Sequence, residues 1–140
     1  MMKHFYFFFT LLCFSATFSA QTSTNVTFSV DMSGEIVSPD GVHIAGGFQG
    51  WDPALTELTD DDMDGVYSVS VDLDASTQFK FINGNDWAFV EDVPDACQIQ
   101  VGSNDNRMLF ISGEDVTVEY HVCFGSCAAC GMSTVLFRVD

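Results

Sequence analysis

Gly41-Val42-His43-Ile44-Ala45-Gly46-Gly47-Phe48-Gln49-Gly50-Trp51-Asp52-Pro53 begins as one kind of structure and ends as another. Val42 and Ile44 alternate with His43 and Ala45, the period of a β-strand with two distinct faces. Gly46-Gly47 stops the alternation, and Gly50-Trp51-Asp52-Pro53 reads as a turn. A large aromatic ring in a turn either packs into a core or offers a flat apolar face to a ligand, and sugars have faces of that kind. The surrounding chain decides between the two.

Working outward, the same period recurs. Val26, Phe28 and Val30 alternate with Thr27, Ser29 and Asp31. Residues 56–59 form a short strand candidate, and residues 66–73 alternate through Tyr67, Val69, Val71 and Leu73. Residues 78–82 read as a strand, which Asn83-Gly84-Asn85-Asp86 breaks just before Trp87. Residues 90–106 are polar and irregular, whereas 107–112 and 116–122 regain strand character. No window carries a helical period. Seven or eight short strands at this spacing predict an all-β sandwich.

The two ends read differently. Residues 1–20 run from charged (Lys3) through apolar (Phe5 to Phe14) to small residues ending at Ala20, the order of a secretory signal peptide. The apolar run is shorter than the about 20 residues that span a bilayer, and no other run is longer, so no membrane span is expected. Export places the chain outside the cell or on its surface. At the other end, Thr134-Val135-Leu136-Phe137-Arg138-Val139-Asp140 echoes Asn25-Val26-Thr27-Phe28-Ser29-Val30-Asp31. The expected organisation is therefore a signal peptide over 1–20, one module over 21–130, and over 131–140 either the start of a second copy or a terminal edge strand. Tandem copies or other domains are the expected neighbours in a longer protein.

Charge excludes one class of partner. With 20 Asp and Glu against 4 Lys and Arg, the net charge is −16, and such a surface repels a phosphate backbone, so nucleic-acid binding is not expected. Strong acidity suits a neutral ligand or simple solubility.

The chain has 5 cysteines. Cys13 would leave with the signal peptide. Cys97, Cys123, Cys127 and Cys130 form an even set in an exported chain, which predicts two disulfides with three possible connectivities. The preferred pairing ties Cys97 to a member of the 123–130 cluster, stapling a distant loop to the last strand. Cys123-x-x-x-Cys127-x-x-Cys130 has iron–sulfur spacing, but the oxidising compartment argues for disulfides over a cluster or zinc.

Other chemistry is thin. Asp60, Asp62, Asp64 and Gly65 open like a calcium loop, yet the twelfth position is Val71 in place of a bidentate Glu, and a strand follows where a helix is needed. The stretch is read as an acidic turn, with no metal. His43 and His121 sit on strand candidates without a nucleophile motif, and the adjacent carboxylates of Glu91 and Asp92 point apart, unlike a glycosidase pair. No catalytic residue and no cofactor is assigned.

Phe48-Gln49-Gly50-Trp51-Asp52-Pro53, the acidic turn leading to Gly65-Val66-Tyr67, and Phe79-Lys80-Phe81 with Gly84-Asn85-Asp86-Trp87 follow one another in a distinctive order. That order resembles the family 48 carbohydrate-binding modules, including the glycogen-binding domain of AMP-activated protein kinase β-subunits, and covers about residues 42–118. The chain also looks like modules repeated in exported proteins of Bacteroidetes. The resemblance implies an immunoglobulin-like (E-set) β-sandwich that is not an enzyme and binds α-glucans such as glycogen and starch. It places Trp51 and Trp87 as stacking rings, Lys80 as a donor to sugar hydroxyls, and Asn106 (in preference to Asn104) as a further hydrogen-bonding group. The cysteine-bearing insert after Trp87 and the 123–130 tail depart from the family pattern and could cover or reshape the site. The alternative is a structural or adhesive repeat on the same fold without a sugar site. The two part on whether Trp51 and Trp87 share an exposed face with Lys80.

Overall fold

The computed structural model describes residues 23–112 and 117–130. The expected signal peptide and the 131–140 echo lie outside the described residues. Eight strands, β1 Thr24–Asp31, β2 Val42–Gly46, β3 Glu57–Leu58, β4 Val66–Leu73, β5 Thr77–Ile82, β6 Ile99–Val101, β7 Asn104–Leu109 and β8 Thr117–Cys123, are joined by turns and two short 3-10 turns, Gly47–Gln49 and Trp87–Phe89. They form a three-stranded sheet, β4-β1-β8, facing a five-stranded sheet, β3-β2-β5-β7-β6. This is the expected all-β, immunoglobulin-like sandwich. One pair departs from an all-antiparallel arrangement, because β1 and β8 run parallel with Phe28 opposite Tyr120. Among the described residues no helix is long and apolar enough to cross a membrane.

The core follows from the alternation. Val26, Phe28 and Val30 on β1 are fully buried, as are Val42 and Ile44 on β2 and Phe79 and Phe81 on β5. Phe28 and Phe79 meet edge to face with ring centroids 4.8 Å apart, and Phe79 meets Tyr120 the same way at 5.0 Å. Each such side chain contributes roughly 1.5–3 kcal/mol of burial. On β2 the second face is buried too, since His43 and Ala45 are as enclosed as Val42 and Ile44.

Two readings need correction. Residues 90–106, expected to be irregular, hold β6, and β7 begins at Asn104 where 107 was expected. Val101 pairs with Asn104 across a two-residue turn whose first residue, Gly102, has φ 69°. A glycine at that position suits a tight hairpin. Polar side chains hid the strand because β7 turns its asparagines away from the core.

The acidic turn behaves as a turn. Both carboxylate oxygens of Asp60 accept backbone amides, from Asp64 at 3.1 Å and Gly65 at 3.0 Å. Half-buried Asp60 and the exposed Asp62 and Asp64 place oxygens within 4.8 Å of one another.

The cysteines pair as Cys97–Cys127 and Cys123–Cys130, with Cα separations of 5.5 and 5.3 Å. The first is the staple preferred from the sequence, joining the insert after Trp87 to the end of β8.

Candidate functional site

Alternation on β5 sets the site. Phe79 and Phe81 point into the core, so Gln78 and Lys80 stand on the outer face of the five-stranded sheet. Gln78 lies opposite Met108 on β7, which puts Met108, Asn106 and Asn104 on that same outer face. Asn106 Nδ2 donates to Gln78 Oε1 at 2.9 Å. A flat polar floor results, and the two tryptophan loops rise beside it.

Trp51 is delivered by the segment after β2. Gly46 lets β2 approach β5 closely, since a Cβ there would sit 2.6 Å from the Gln78 carbonyl oxygen. The chain then turns through Gly50 at φ 80° and Trp51 itself at φ 63°. Left-handed backbone suits glycine and costs a residue with a Cβ roughly 1–2 kcal/mol. Surrounding hydrogen bonds hold it there. Trp51 N donates to the Gly46 carbonyl at 3.0 Å, while Gln49 Nε2 donates to the Asp52 carbonyl at 2.6 Å and Gln49 Oε1 accepts from Asp52 N at 2.7 Å. Met63, in the acidic turn, is the other described non-glycine residue with left-handed backbone, at φ 59°.

Trp87 comes from the other side. Asp86 caps the Trp87–Phe89 turn by accepting from Ala88 N at 2.8 Å. Asn83 N donates to the Phe89 carbonyl at 3.0 Å, and Ile82 bridges Val90, so residues 83–91 fold back along β5. Asp86 acts as the turn former expected of it, whereas the Asn83 side chain reaches the β1–β2 connection, accepting from Ser38 N at 2.8 Å and donating to the Ile36 carbonyl at 3.0 Å.

The four residues singled out in the sequence meet in one place. Trp51, Lys80, Trp87 and Asn106, joined by Val90 and Asn104, line a cleft of ≈ 500 Å³. The Trp51 and Trp87 rings are 6.3 Å apart between centroids and tilted by 38°, a separation at which aromatic rings still interact. Neither ring enters the sandwich interior, Trp87 being 41% exposed. Lys80 makes no ion pair among the described residues. Asn106 is 6% exposed and already bonded to Gln78, so Asn104, exposed one step along the same face, is the more available donor. Asn104 was the alternative weighed beside Asn106, and the same period-two spacing that places Lys80 could have flagged Gln78.

A second polar centre, not anticipated from the sequence, lies beneath. Arg107 opposes Phe79 on the core side of β7, is 0% exposed, and pairs with Glu91, itself 2% exposed. Arg107 Nη2 reaches Glu91 Oε2 at 2.6 Å and Nε reaches Oε1 at 2.8 Å. The remaining capacity is also used. Glu91 Oε1 accepts from Phe81 N at 2.8 Å and Oε2 from Gly125 N at 3.2 Å, while Arg107 Nη2 donates to the Ser126 carbonyl at 2.8 Å. Burial works against the guanidinium's charge, but the hydrogen bonds and charge of Glu91, with Tyr120 adding a smaller share, outweigh it and hold Arg107 above its ordinary range. Glu91 follows Trp87 by one turn of loop, so this pair anchors the base of that loop. The insert and the Cys123–Cys130 tail therefore brace the site from below, and no cysteine lines the cleft.

His43 is buried with Nδ1 unpartnered among the described residues. His121 is exposed. It gives the smallest of the pulls that lower Asp31, behind the side-chain and backbone hydrogen bonds of Ser33 and against burial.

No family model and no curated protein matches the chain. Among solved structures it is similar to the family 20 carbohydrate-binding module of a maltotetraose-forming amylase from Pseudomonas saccharophila STB07, at 19% identity and a TM-score of 0.41, over 69% of this chain and 100% of that one.

Proposed function

We propose that the cleft on the five-stranded sheet binds a neutral glycan, with an α-glucan of the glycogen or starch kind as its ligand. The observation that carries this is the tilted pair of tryptophan rings standing beside an unpaired lysine in one open cleft. Pyranose rings present apolar C–H faces to Trp51 and Trp87, while Lys80 and Asn104 donate to hydroxyls and Asn106 keeps the floor in place. A 38° tilt suits a chain whose successive sugars turn relative to one another, as α-linked glucose does. A flat β-linked ribbon calls for coplanar rings. Two disulfides fit an exported module, and the sequence resemblance to the family 48 modules assigns binding roles to Trp51, Lys80 and Trp87 and places Asn106 near a fourth.

The test is retention of the protein on immobilised glycogen or starch beside Trp51→Ala and Trp87→Ala. The parent is expected to be retarded and each variant to run close to a non-binding control. Equal migration of all three would favour the structural repeat and end the carbohydrate reading.

A further inference from the structure

The cleft around Lys80 is one of two that meet at Trp51. The other is a cavity of ≈ 670 Å³, lined in part by Phe48, Asp74, Ala75, Gln78 and Met108. Trp51, Asn104 and Asn106 line both. The two therefore share one wall and one floor, and that floor is the polar outer face of β5 and β7. The far wall of the second cavity is the β4–β5 turn, which contributes Asp72 and Asp74 and no cation. Asp72 Oδ1 accepts from Asn25 Nδ2 at 2.7 Å. Asp74 is exposed and has no side-chain partner among the described residues.

We infer that the two cavities are one groove, that a single glycan chain lies through both and passes Trp51 along its length, and that the acidic wall at Asp74 restricts the groove to uncharged chains. This deepens the carbohydrate reading and rests on it. A site confined to the Lys80 cleft would hold a short ligand or a chain end. A groove continuing past Trp51 adds hydrogen-bonding floor for further sugars, so affinity climbs with chain length until the second cavity is filled. The charge argument is independent of length. A uronate or sulfated glycan would set its anions against an unpaired carboxylate on a chain of net charge −16, a repulsion that weakens with salt.

Calorimetric titration of the protein with a glucose disaccharide, a glucose heptasaccharide and polygalacturonate tests each part. The heptasaccharide is expected to bind about tenfold more tightly than the disaccharide, and Ala75→Met, which narrows the second cavity without changing charge, is expected to remove most of that advantage. Polygalacturonate is expected not to bind the parent, and Asp74→Asn to raise its affinity by about fivefold at low salt. Binding of the disaccharide with no gain for the heptasaccharide would overturn the continuous groove and leave the carbohydrate reading standing. A length advantage that survives in a cooperatively folding Ala75→Met would also overturn it. Polygalacturonate binding to the parent as tightly as the neutral chain would overturn the acidic filter, and absence of binding by either neutral sugar would overturn both readings together.

Discussion

Lys80 and Arg107 are the only two lysine or arginine residues among those described, and neighbouring strands of one sheet carry them on opposite faces. Arg107 is fully enclosed, donates to Glu91, the Ser126 carbonyl and Cys97 Sγ, and lies 5.8 Å from the centre of the Phe81 ring. Lys80 is half-buried, unpaired and flanked by two tryptophans on an otherwise acidic surface. A chain this acidic could have neutralised any cation it carries. Leaving Lys80 without a partner keeps its donors free for something outside the chain. The contrast separates a charge that the fold uses from one that the fold leaves unpaired.

Breaking the buried half should have the largest effect on stability. Removing one partner, as in Glu91→Ala, strands a buried guanidinium and is expected to cost about 3–5 kcal/mol, read as a lower urea midpoint. The double variant Glu91→Leu with Arg107→Met should recover much of that loss, because a buried pair is often no more stabilising than apolar residues of similar size. Failure of the double variant to recover would mean that the contacts to Gly125 and Ser126 matter more than the charge pairing.

The staple comes next. Replacing Cys97 and Cys127 together by Ser is expected to cost about 2–4 kcal/mol. Since Arg107 Nη1 lies 3.9 Å from Cys97 Sγ, this loss should be smaller in the Glu91→Ala background than in the parent. Independent, additive losses measured by a double-mutant cycle would separate the staple from the ion pair.

The exposed half should respond in the opposite sense. Lys80→Met is expected to shift stability by no more than about 0.5 kcal/mol and to abolish retention on glycogen. Trp51→Asn sharpens the point, because Asn tolerates left-handed backbone. It should keep the loop and lose the ligand. A large drop in stability for either variant would move that residue to the structural side of the comparison.

The smallest expected effect concerns Asp31. Its carboxyl lies below the ordinary value of 3.8, chiefly through the Ser33 side chain, then the Ser33 amide. A lowered folded value means that its contribution is full above the unfolded value and fades as pH falls through the folded one. Urea midpoints of the parent and Asp31→Asn should therefore differ near neutral pH, begin to approach one another only below about pH 4, and converge once the pH has fallen below the folded value.

How much of this was legible follows the same division. Alternation at Val26, Phe28 and Val30 and at Phe79 and Phe81 reveals the core faces, because a period of two needs no knowledge of what packs against it. The same period puts Lys80 on the outer face, and the order of short motifs brings Trp51, Trp87 and Asn106 beside it. Arg107 and Glu91 were invisible because a charged residue reads as exposed until its partner is known, and these two are 16 positions apart. β6 was hidden by its shortness, three residues (Ile99-Gln100-Val101) in a stretch punctuated by Pro94 and Gly102, and the second cavity by the fact that its walls come from β4–β5, β6–β7 and the Trp51 loop, which only folding assembles. The strain at Trp51 leaves no trace in composition at all.

The protein has only 2 tryptophans, and both line the Lys80 cleft, so its tryptophan emission, excited selectively over tyrosine, reports on that cleft and on the groove that continues past Trp51. Titration with soluble glycogen is predicted to give a saturable change in emission in the parent, about half as large or less in Trp51→Phe and in Trp87→Phe, and none in Lys80→Met despite an unchanged unfolding midpoint. A parent whose emission stays constant across the titration while the fold is intact would contradict the account at its centre.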